Sequence, residues 1–341
     1  MKKVWILILL VILLVAGGIG FMRVKAFFQK PLAAPLAVLV QSTPTQVVLA
    51  TSAPVVAAVA PTSTPEPVVA TLAPTCGQSG VMTVLLLARD VANGEPPYGA
   101  DLIRFVRIDF DNQAVRLIAV PRDLWVATPH LAPLNVDHSR LGPVYYLQEQ
   151  ASTGTSDQIA TTATGAVAQA LYDNYGVAAD HYLFLEMRFF AQALDQLGGL
   201  DVNIPTAITV GGDTFLTGQQ HLDGTRALLY ARLLPTSSEL DGGWARLDRQ
   251  NLILKALVST ALTPANVLKL PGLLAQFQND FTTDLSPEQI TNLTCLAGKV
   301  TSDQITSVQV EKTMITGPGP DNSMLADTTQ VTQFLQKQLA P

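Results

Sequence analysis

The chain has 341 residues and a formal net charge of −6. Five of its 21 basic residues flank an apolar N-terminus and one of its 27 acidic residues lies in residues 31–79, so residues 80–341 carry a net charge of −10. This balance argues against a nucleic-acid-binding surface, which needs a basic stripe to neutralise phosphates. Residues 80–341 are numerous enough to form one large α/β domain with a buried core.

The N-terminus contains an uninterrupted apolar run of 19 residues, from position 4 to position 22. At about 1.5 Å per residue a helix of this length spans roughly 28 Å, close to the thickness of a bilayer core. A cleaved signal peptide is the alternative, but the run ends in Phe21 and Met22 and is followed by Arg23 instead of a small-residue cleavage site. We therefore predict that residues 1–30 form a cytoplasmic tip and an uncleaved signal anchor, with the domain outside the cell in a single-pass cell-membrane protein.

Residues 31–79 are rich in Pro, Ala, Thr and Val and contain eight prolines. They show no helical or strand period and have too few large side chains to form a core. The composition is typical of an extended, flexible stalk, whose reach at about 3.1 Å per residue is on the order of 100 Å or more.

Residues 80–341 alternate between strand-like and helix-like segments, which predicts a three-layer α/β/α domain with a mixed central sheet. The strands at 102–109 and 114–120 are separated by an Asp-Asn turn and are expected to form an antiparallel hairpin. The capping pattern at Ser286 predicts the start of a helix. The predicted strands are 81–87, 102–109, 114–120, 181–187, 200–204 and 305–310, and the predicted helices are 161–175, 189–197, 224–232, 246–261, 287–298 and 328–339.

Cys76 and Cys295 are the two cysteines of the chain. A domain outside the cell can hold a disulfide, which here would join the start of the domain to its C-terminal part. Sequence separation says nothing about Cα distance, so a disulfide and two separate thiols both remain open.

Two aspartates lie where neighbouring strands meet. Asp90 follows the first predicted strand and Asp101 begins the second. Two such carboxylates suit Mg²⁺, which needs only one or two protein carboxylates in addition to phosphate oxygens. Acidic residues at strand ends are also common as solvated turn residues, so the spacing alone leaves both interpretations open.

All eleven basic residues between positions 30 and 255 are arginines. Arg122 follows the third predicted strand, Arg232 ends a helix, and Arg246 and Arg249 lie three residues apart on the next helix. The planar guanidinium group binds phosphate oxygens through two hydrogen bonds, so the set fits a pyrophosphate site. The alternative is a set of surface salt bridges with partners such as Asp123.

Taken together, these segments resemble the LytR-CpsA-Psr (LCP) family, also called cell-envelope-related transcriptional attenuators. The similarity covers about residues 85–260, and we expect residues 261–341 to complete the α/β domain. The stretches that carry it are LLLARD (85–90), ADLIRFVRID (100–109), VRLIAVPRDLWV (115–126), LN (134–135), DHYLFLEMRFFAQALDQLGGLDVNIP (180–205), LTGQQHLDGTRALLYAR (216–232) and RLDRQ (246–250).

The resemblance implies a phosphotransferase that moves a glycopolymer from a polyprenyl-pyrophosphate carrier to peptidoglycan or another surface acceptor. It implies Mg²⁺, with Mn²⁺ as an alternative, at Asp90 and Asp101. Asp123 or Asp101 would accept the proton of the acceptor hydroxyl. The residues that would hold the pyrophosphate are Arg122, Arg232, Arg246 and Arg249, and those that would line a lipid pocket are Phe184, Leu185, Phe189, Leu228 and Leu229.

The chain departs from the family pattern at several cationic positions. Ala92, Gly99 and Leu234 stand where members usually carry arginine, and Gly243 stands where an acidic residue is usual. Each lost charge-assisted contact is worth about 1.5–3 kcal/mol. A polyprenyl-phosphate-binding protein with weakened catalysis is therefore the alternative function. A transcriptional attenuator is a further one, but it would need a DNA-binding segment and only residues 1–3 would lie inside the cell.

Overall fold

The structure is a computed structural model that describes residues 31–38, 76–90, 99–210, 212–233, 239–277 and 280–340. No helix among these residues is long and apolar enough to cross a membrane. The helix predicted at residues 4–22 lies outside them, as do residues 39–75 of the predicted stalk.

The domain is built on a six-stranded mixed sheet with the strand order β11-β6-β1-β2-β3-β12. The strands are β1 (Val81–Arg89), β2 (Leu102–Asp109), β3 (Ala114–Ala119), β4 (Trp125–Ala127), β5 (His138–Arg140), β6 (His181–Glu186), β7 (Leu200–Ile204), β8 (Ile208–Val210), β9 (Asp213–Phe215), β10 (Gly218–Leu222), β11 (Phe281–Thr283), β12 (Ile305–Gln309), β13 (Ile315–Pro318) and β14 (Met324–Ala326).

The sheet combines antiparallel and parallel neighbours, as predicted. β1, β2 and β3 pair antiparallel in sequence, which confirms the predicted hairpin. β6 runs parallel to β1, and β12 runs parallel to β3, so each joins the sheet through a crossover connection. The consequence is that β1 ends, β2 begins and β3 ends at the same edge of the sheet.

Helices cover both faces of this sheet. Successive strand residues point to opposite faces, so Leu85 and Leu87 pack into a core with α1, α2 and α9, whereas Leu86 and Ala88 face α3, α4 and α5. The predicted three layers are therefore present. The helices are α1 (Leu141–Ala151), α2 (Ser156–Tyr175), α3 (Met187–Leu197), α4 (Gly224–Arg232), α5 (Glu239–Ala261), α6 (Pro264–Val267), α7 (Leu270–Gln276), α8 (Pro287–Ala297) and α9 (Thr328–Leu339).

Helix ends follow their capping residues. The predicted capping box at Ser286 is present, with Gln289 N–H donating to the serine hydroxyl at 3.2 Å. A second box at Thr155 starts α2 five residues before the predicted start, and Gly176 ends the helix at φ +62°. The predicted helix at 246–261 begins earlier, at residue 239.

Cys76 and Cys295 form a disulfide, with their Cα atoms 5.7 Å apart. The bond joins the segment before β1 to α8 and settles the alternative that the sequence left open. Residues 31–38, predicted as part of a free stalk, instead pack against the domain through Ala33, Leu36 and Val38.

Candidate active site

The site lies at the edge where β1 ends, β2 begins and β3 ends, which we call the site end of the sheet. Asp101 is fixed there by its N–H, which donates to Ala88 O at 2.8 Å. Asp90 directly follows β1, and Arg122 lies three residues after β3. The antiparallel order of the three strands therefore brings these side chains together from three separate parts of the sequence.

The two predicted metal-binding aspartates are neighbours. The N–H of Asp90 donates to Asp101 Oδ2 at 3.0 Å. Arg122 Nη1 forms an ion pair with Asp101 Oδ1, and Arg232 Nη2 forms one with Asp90 Oδ1. Each carboxylate thus has a guanidinium partner, and Arg232, which is one third exposed, comes from the last residue of α4.

Asp123 is the centre of a second ionic cluster. Its carboxylate lies 3.4 Å from Arg122 Nε, from Arg140 Nη1 and from Arg246 Nη2. These guanidinium groups come from the end of β3, from β5 and from α5. One carboxylate therefore ties together cations carried by three different elements.

Arg246 and Arg249 are both buried on α5 but point to different places. Burial lowers the pKa of Arg246, and the nearby Arg122 lowers it further while Asp123 opposes the shift. Burial likewise lowers the pKa of Arg249, which donates to the carbonyl of Leu233 after α4. Arg246 borders the cavity described below and Arg249 does not, because three residues leave the two side chains about 60° apart on a helix.

A cavity of about 550 Å³ extends from the site end between the sheet and helices α3, α4 and α5. Charged groups lie at one end of it and the other walls are mostly apolar. The charged lining residues are Asp90, Asp101, Arg122, Arg232 and Arg246, and the others are Leu86, Ala88, Leu102, Leu183, Leu185, Met187, Phe190, Leu228, Ala231, Gln250, Ile253, Leu254 and Leu257.

Two of the five predicted pocket residues, Leu185 and Leu228, line this cavity. Phe184 does not, because it points to the other sheet face, where it stacks on Tyr145 at 4.6 Å. Phe189 packs instead against Phe277, with ring centroids 5.0 Å apart.

Leu229 is also absent from the cavity lining and joins a separate apolar cluster around β7. The assignments of Phe184, Phe189 and Leu229 to the pocket were wrong. Neighbouring strand residues point to opposite faces of the sheet, and neighbouring helix residues point in directions about 100° apart around the helix axis. Leu183 and Phe190 are lining residues that the sequence reasoning did not name.

Two polar residues of the site were missed. Gln250 lies one turn after Arg246, is 5% exposed and borders the cavity, and its Oε1 has no hydrogen-bond partner among the described residues. The i, i+4 spacing from Arg246 was the available signal. Arg140 belongs to β5, a three-residue strand without a sequence pattern, and only the fold brings it to Asp123.

Gly99 has a structural reason for its departure from the family pattern. Its φ is +106°, and an added Cβ would lie 2.1 Å from Gly142 O. The same crossing is held by the Ala100 N–H, which donates to Gly142 O at 3.0 Å. No side chain fits at position 99, so an arginine is sterically excluded there. Ala92 and Leu234 lie outside the described residues.

The donor set can be compared with the needs of a divalent cation. The described residues contain no group of three or more acidic, His or Cys side chains able to hold a metal. Asp90 and Asp101 instead offer two adjacent hard carboxylates. This fits Mg²⁺, which keeps several waters and takes one or two carboxylates together with substrate phosphates.

A mixed α/β domain whose apolar cavity ends in paired carboxylates and guanidinium groups has the features of a protein that binds a phosphate group attached to an apolar chain. The sequence profile of the LytR_cpsA_psr family matches residues 57–340. The chain belongs to this family, which confirms the resemblance seen in the sequence.

Two transferases are similar in sequence to about two thirds of this chain. Polyisoprenyl-teichoic acid–peptidoglycan teichoic acid transferase TagU of Oceanobacillus iheyensis is 26% identical over 69% of this chain and 68% of its own length. The transferase TagV of Bacillus subtilis is 24% identical over 66% of this chain, and the match spans only 54% of that relative. The crystal structure of B. subtilis TagV has a TM-score of 0.57 at 21% identity, covering 77% of this chain and 98% of TagV. That likeness establishes the shared mixed α/β fold.

Proposed function

We propose that this protein is a cell-envelope phosphotransferase that moves a glycopolymer from a polyprenyl-pyrophosphate carrier to peptidoglycan or another surface acceptor. The observation that carries the proposal is the cavity, whose apolar walls end at Asp90, Asp101, Arg122, Arg232 and Arg246. An isoprenoid fits the apolar part, and a pyrophosphate fits the charged end. The names of the relatives, which act on polyisoprenyl-linked teichoic acid, support the same substrate class.

The reaction joins an acceptor hydroxyl oxygen to the glycan-bearing phosphorus. The bond from that phosphorus to the bridging oxygen breaks, polyprenyl phosphate leaves with the bridging oxygen, and a phosphodiester remains on the acceptor. Negative charge grows on the leaving phosphate. Phosphoryl transfer depends mainly on alignment and on neutralising this charge. Arg122, Arg232 and Arg246 border the cavity at the place where their guanidinium groups can do so.

Asp90 and Asp101 would hold Mg²⁺ or Mn²⁺, which when bound would polarise phosphate oxygens. Of the two predicted proton acceptors, Asp101 borders the cavity and Asp123 does not. Asp123 instead contacts three guanidinium groups. We therefore assign the proton of the acceptor hydroxyl to Asp101 and a positioning role to Asp123. Arg249, which binds Leu233 O, would act by fixing α5 against the end of α4.

The proposal includes an anchored topology. Residues 4–22 would cross the cell membrane once, and the domain would lie outside the cell. The apolar length of the N-terminal run and the proline-rich composition after it support this arrangement.

The test is release of polyprenyl phosphate by the full chain, given a lipid-linked oligosaccharide, peptidoglycan and Mg²⁺. Asp90→Ala and Arg122→Ala should each lower turnover by about 10²–10³-fold, as expected when a preorganised charge is removed. Arg188→Ala is the matched control, because that side chain is 69% exposed and lies outside the cavity. Full turnover in both site variants would show that the chemistry lies elsewhere.

One observation favours the second candidate, a polyprenyl-phosphate-binding protein without turnover. The Gly99–Gly142 contact leaves no room for a cation that the family usually carries. Lipid that copurifies with the chain, combined with no release in either Mg²⁺ or Mn²⁺, would select this candidate.

A further inference from the structure

Residues 31–38, which we call the docking segment, are bound to the domain along their length. The Leu32 N–H donates to Leu285 O at 3.3 Å, and the buried Tyr182 hydroxyl donates to Ala34 O at 3.4 Å. The Leu36 side chain lies over Gly165, 3.9 Å from the position of a Cβ there. The docking segment lies outside the region that matches the family profile.

The docking segment starts toward the end of the sheet opposite the site end, where Pro31 shares a cleft with Asp180 and His181, and it runs toward the middle of the sheet, where Tyr182 pairs with Leu85. Tyr182 is the second residue of β6, which runs parallel to β1 toward the site, and Leu285 follows β11, which runs the other way. The Cys76–Cys295 disulfide is at this same end, since Cys76 precedes β1. We call it the disulfide end. Residue 31, which follows the N-terminal region, and Cys76 therefore both lie toward the disulfide end.

The long axis of the cavity runs between the site end and the disulfide end. Asp90 lies at its charged end, and Leu86, four residues back along β1, pairs with Leu183 on its apolar wall. At about 3.3 Å per residue this separation is roughly 13 Å. Leu257 lies eleven residues after Arg246 on α5, a rise of about 16 Å in the same direction. The apolar part of the cavity thus extends from the site end toward the disulfide end.

We propose that the docking segment holds the domain beside the membrane with the disulfide end facing the lipid surface. The inference rests on the membrane anchor of the proposed function. Only residues 23–30 separate the apolar run from the docking segment, and eight residues reach at most about 28 Å. A stalk that was free from residue 23 to residue 79 would reach on the order of 100 Å or more.

This orientation gives the cavity a functional direction. A carrier lipid would enter the apolar part from the membrane side, and its pyrophosphate would stop at the site end, which points away from the bilayer toward the wall. The proline-rich residues 39–75 would then not determine the distance between the domain and the membrane.

The experiment measures energy transfer from a fluorophore on the full chain to acceptor-labelled lipids in liposomes. The label is placed at Asn112→Cys, exposed at the disulfide end, or at Gln150→Cys, exposed at the site end. Because β1 alone has nine residues, the two labelled positions lie roughly 30 Å apart along the sheet. We expect clearly stronger transfer from position 112. Equal and weak transfer from both positions would overturn the proposal.

Two variants in the docking segment sharpen the test. Leu36→Asp should release the segment and lower transfer from position 112, whereas Leu32→Asp, at a side chain that is 52% exposed, should not. A cross-link between Leu36→Cys and Gly165→Cys should leave transfer unchanged. An increase on cross-linking, or equal behaviour of the two Asp variants, would mean that the segment is not docked.

Two further measurements distinguish a failure of the proposed anchor from a failure of the proposed orientation. They are flotation of the chain with liposomes and turnover of the carrier dispersed in detergent. A chain that does not float lacks the proposed anchor, and the membrane orientation is then wrong as well. A chain that floats and shows equal transfer, yet turns over the carrier, contradicts the orientation and leaves the proposed function standing.

Discussion

The two ends of the central sheet are held by different interactions. At the site end, Asp101, Arg122 and Asp123 form ion pairs around a tight crossing of two glycine backbones. At the disulfide end, Cys76 and Cys295 are covalently joined, and the docking segment packs its apolar side chains on the core. The charged side chains that must remain accessible to a ligand are thus positioned by ion pairs with one another and by the backbone. The stabilising covalent bond lies at the end away from these charges.

The largest effect should come from the disulfide end. The bond joins residues 219 apart in sequence, so replacing both cysteines with serine should lower the free energy of unfolding by about 3–5 kcal/mol. Thermal unfolding of the variant and of the reduced protein measures this. Binding of polyprenyl phosphate well below the unfolding temperature should not change, and a loss of binding there would mean that the two ends are coupled.

The backbone crossing at the site end should be the next most sensitive feature. Gly99→Ala places a methyl group 2.1 Å from Gly142 O at φ +106° and should cost about 2–3 kcal/mol, with loss of turnover. Gly218→Ala is the control, because its φ is +101° and no atom lies within 4 Å of the added Cβ. If both variants lose the same free energy of unfolding, the positive φ accounts for the whole effect and the contact with Gly142 O contributes nothing.

A cation inside the sheet layer contrasts with those at the site. Arg104 is fully buried on β2, its Nη1 donates to Asn251 Oδ1 at 2.6 Å, and its Nε and Nη2 have no partner among the described residues. Burial lowers its pKa to about 9. Because the unfolded chain binds this proton more tightly, the charge opposes folding below about pH 9, and the penalty fades as pH rises above that value.

Arg104→Met should therefore stabilise the domain at neutral pH by about 1–2 kcal/mol, which chemical denaturation can measure. The gain should shrink above pH 9. The exposed Arg188→Met should have no such effect. A destabilised Arg104 variant would mean that the buried guanidinium contributes more through its contacts than it costs.

The smallest effect should be at Arg140, whose side chain is 29% exposed and pairs with Asp123. Arg140→Ala should raise the KM for the carrier by about two- to fivefold, or up to about 1 kcal/mol, with little change in kcat. Arg140→Lys should recover part of the loss. In an Asp123→Asn background the effect should disappear, and additive effects would exclude a positioning role through Asp123.

Periodicity and capping residues predicted the elements that position the site. The alternation in β2 and β3, the capping box at Ser286 and the glycine that ends α2 are local signals, because each depends on side chains within one turn or hairpin. α1 was missed, since its first turn contains Gly142 and Pro143, and the short strands β4 and β5 were missed because three residues carry no period. Arg140, which lies on β5, was missed for the same reason.

The sequence by itself determined the fold class, the family and the set of charged residues, because hydrophobic period and motif order are properties of the chain. Only the tertiary structure decided which side chains share the cavity, that Cys76 lies beside Cys295, and that no side chain fits at Gly99. Those outcomes depend on distances between segments that are remote in sequence. A shift of one residue along a strand, as from Phe184 to Leu185, moves a side chain to the opposite face of the sheet.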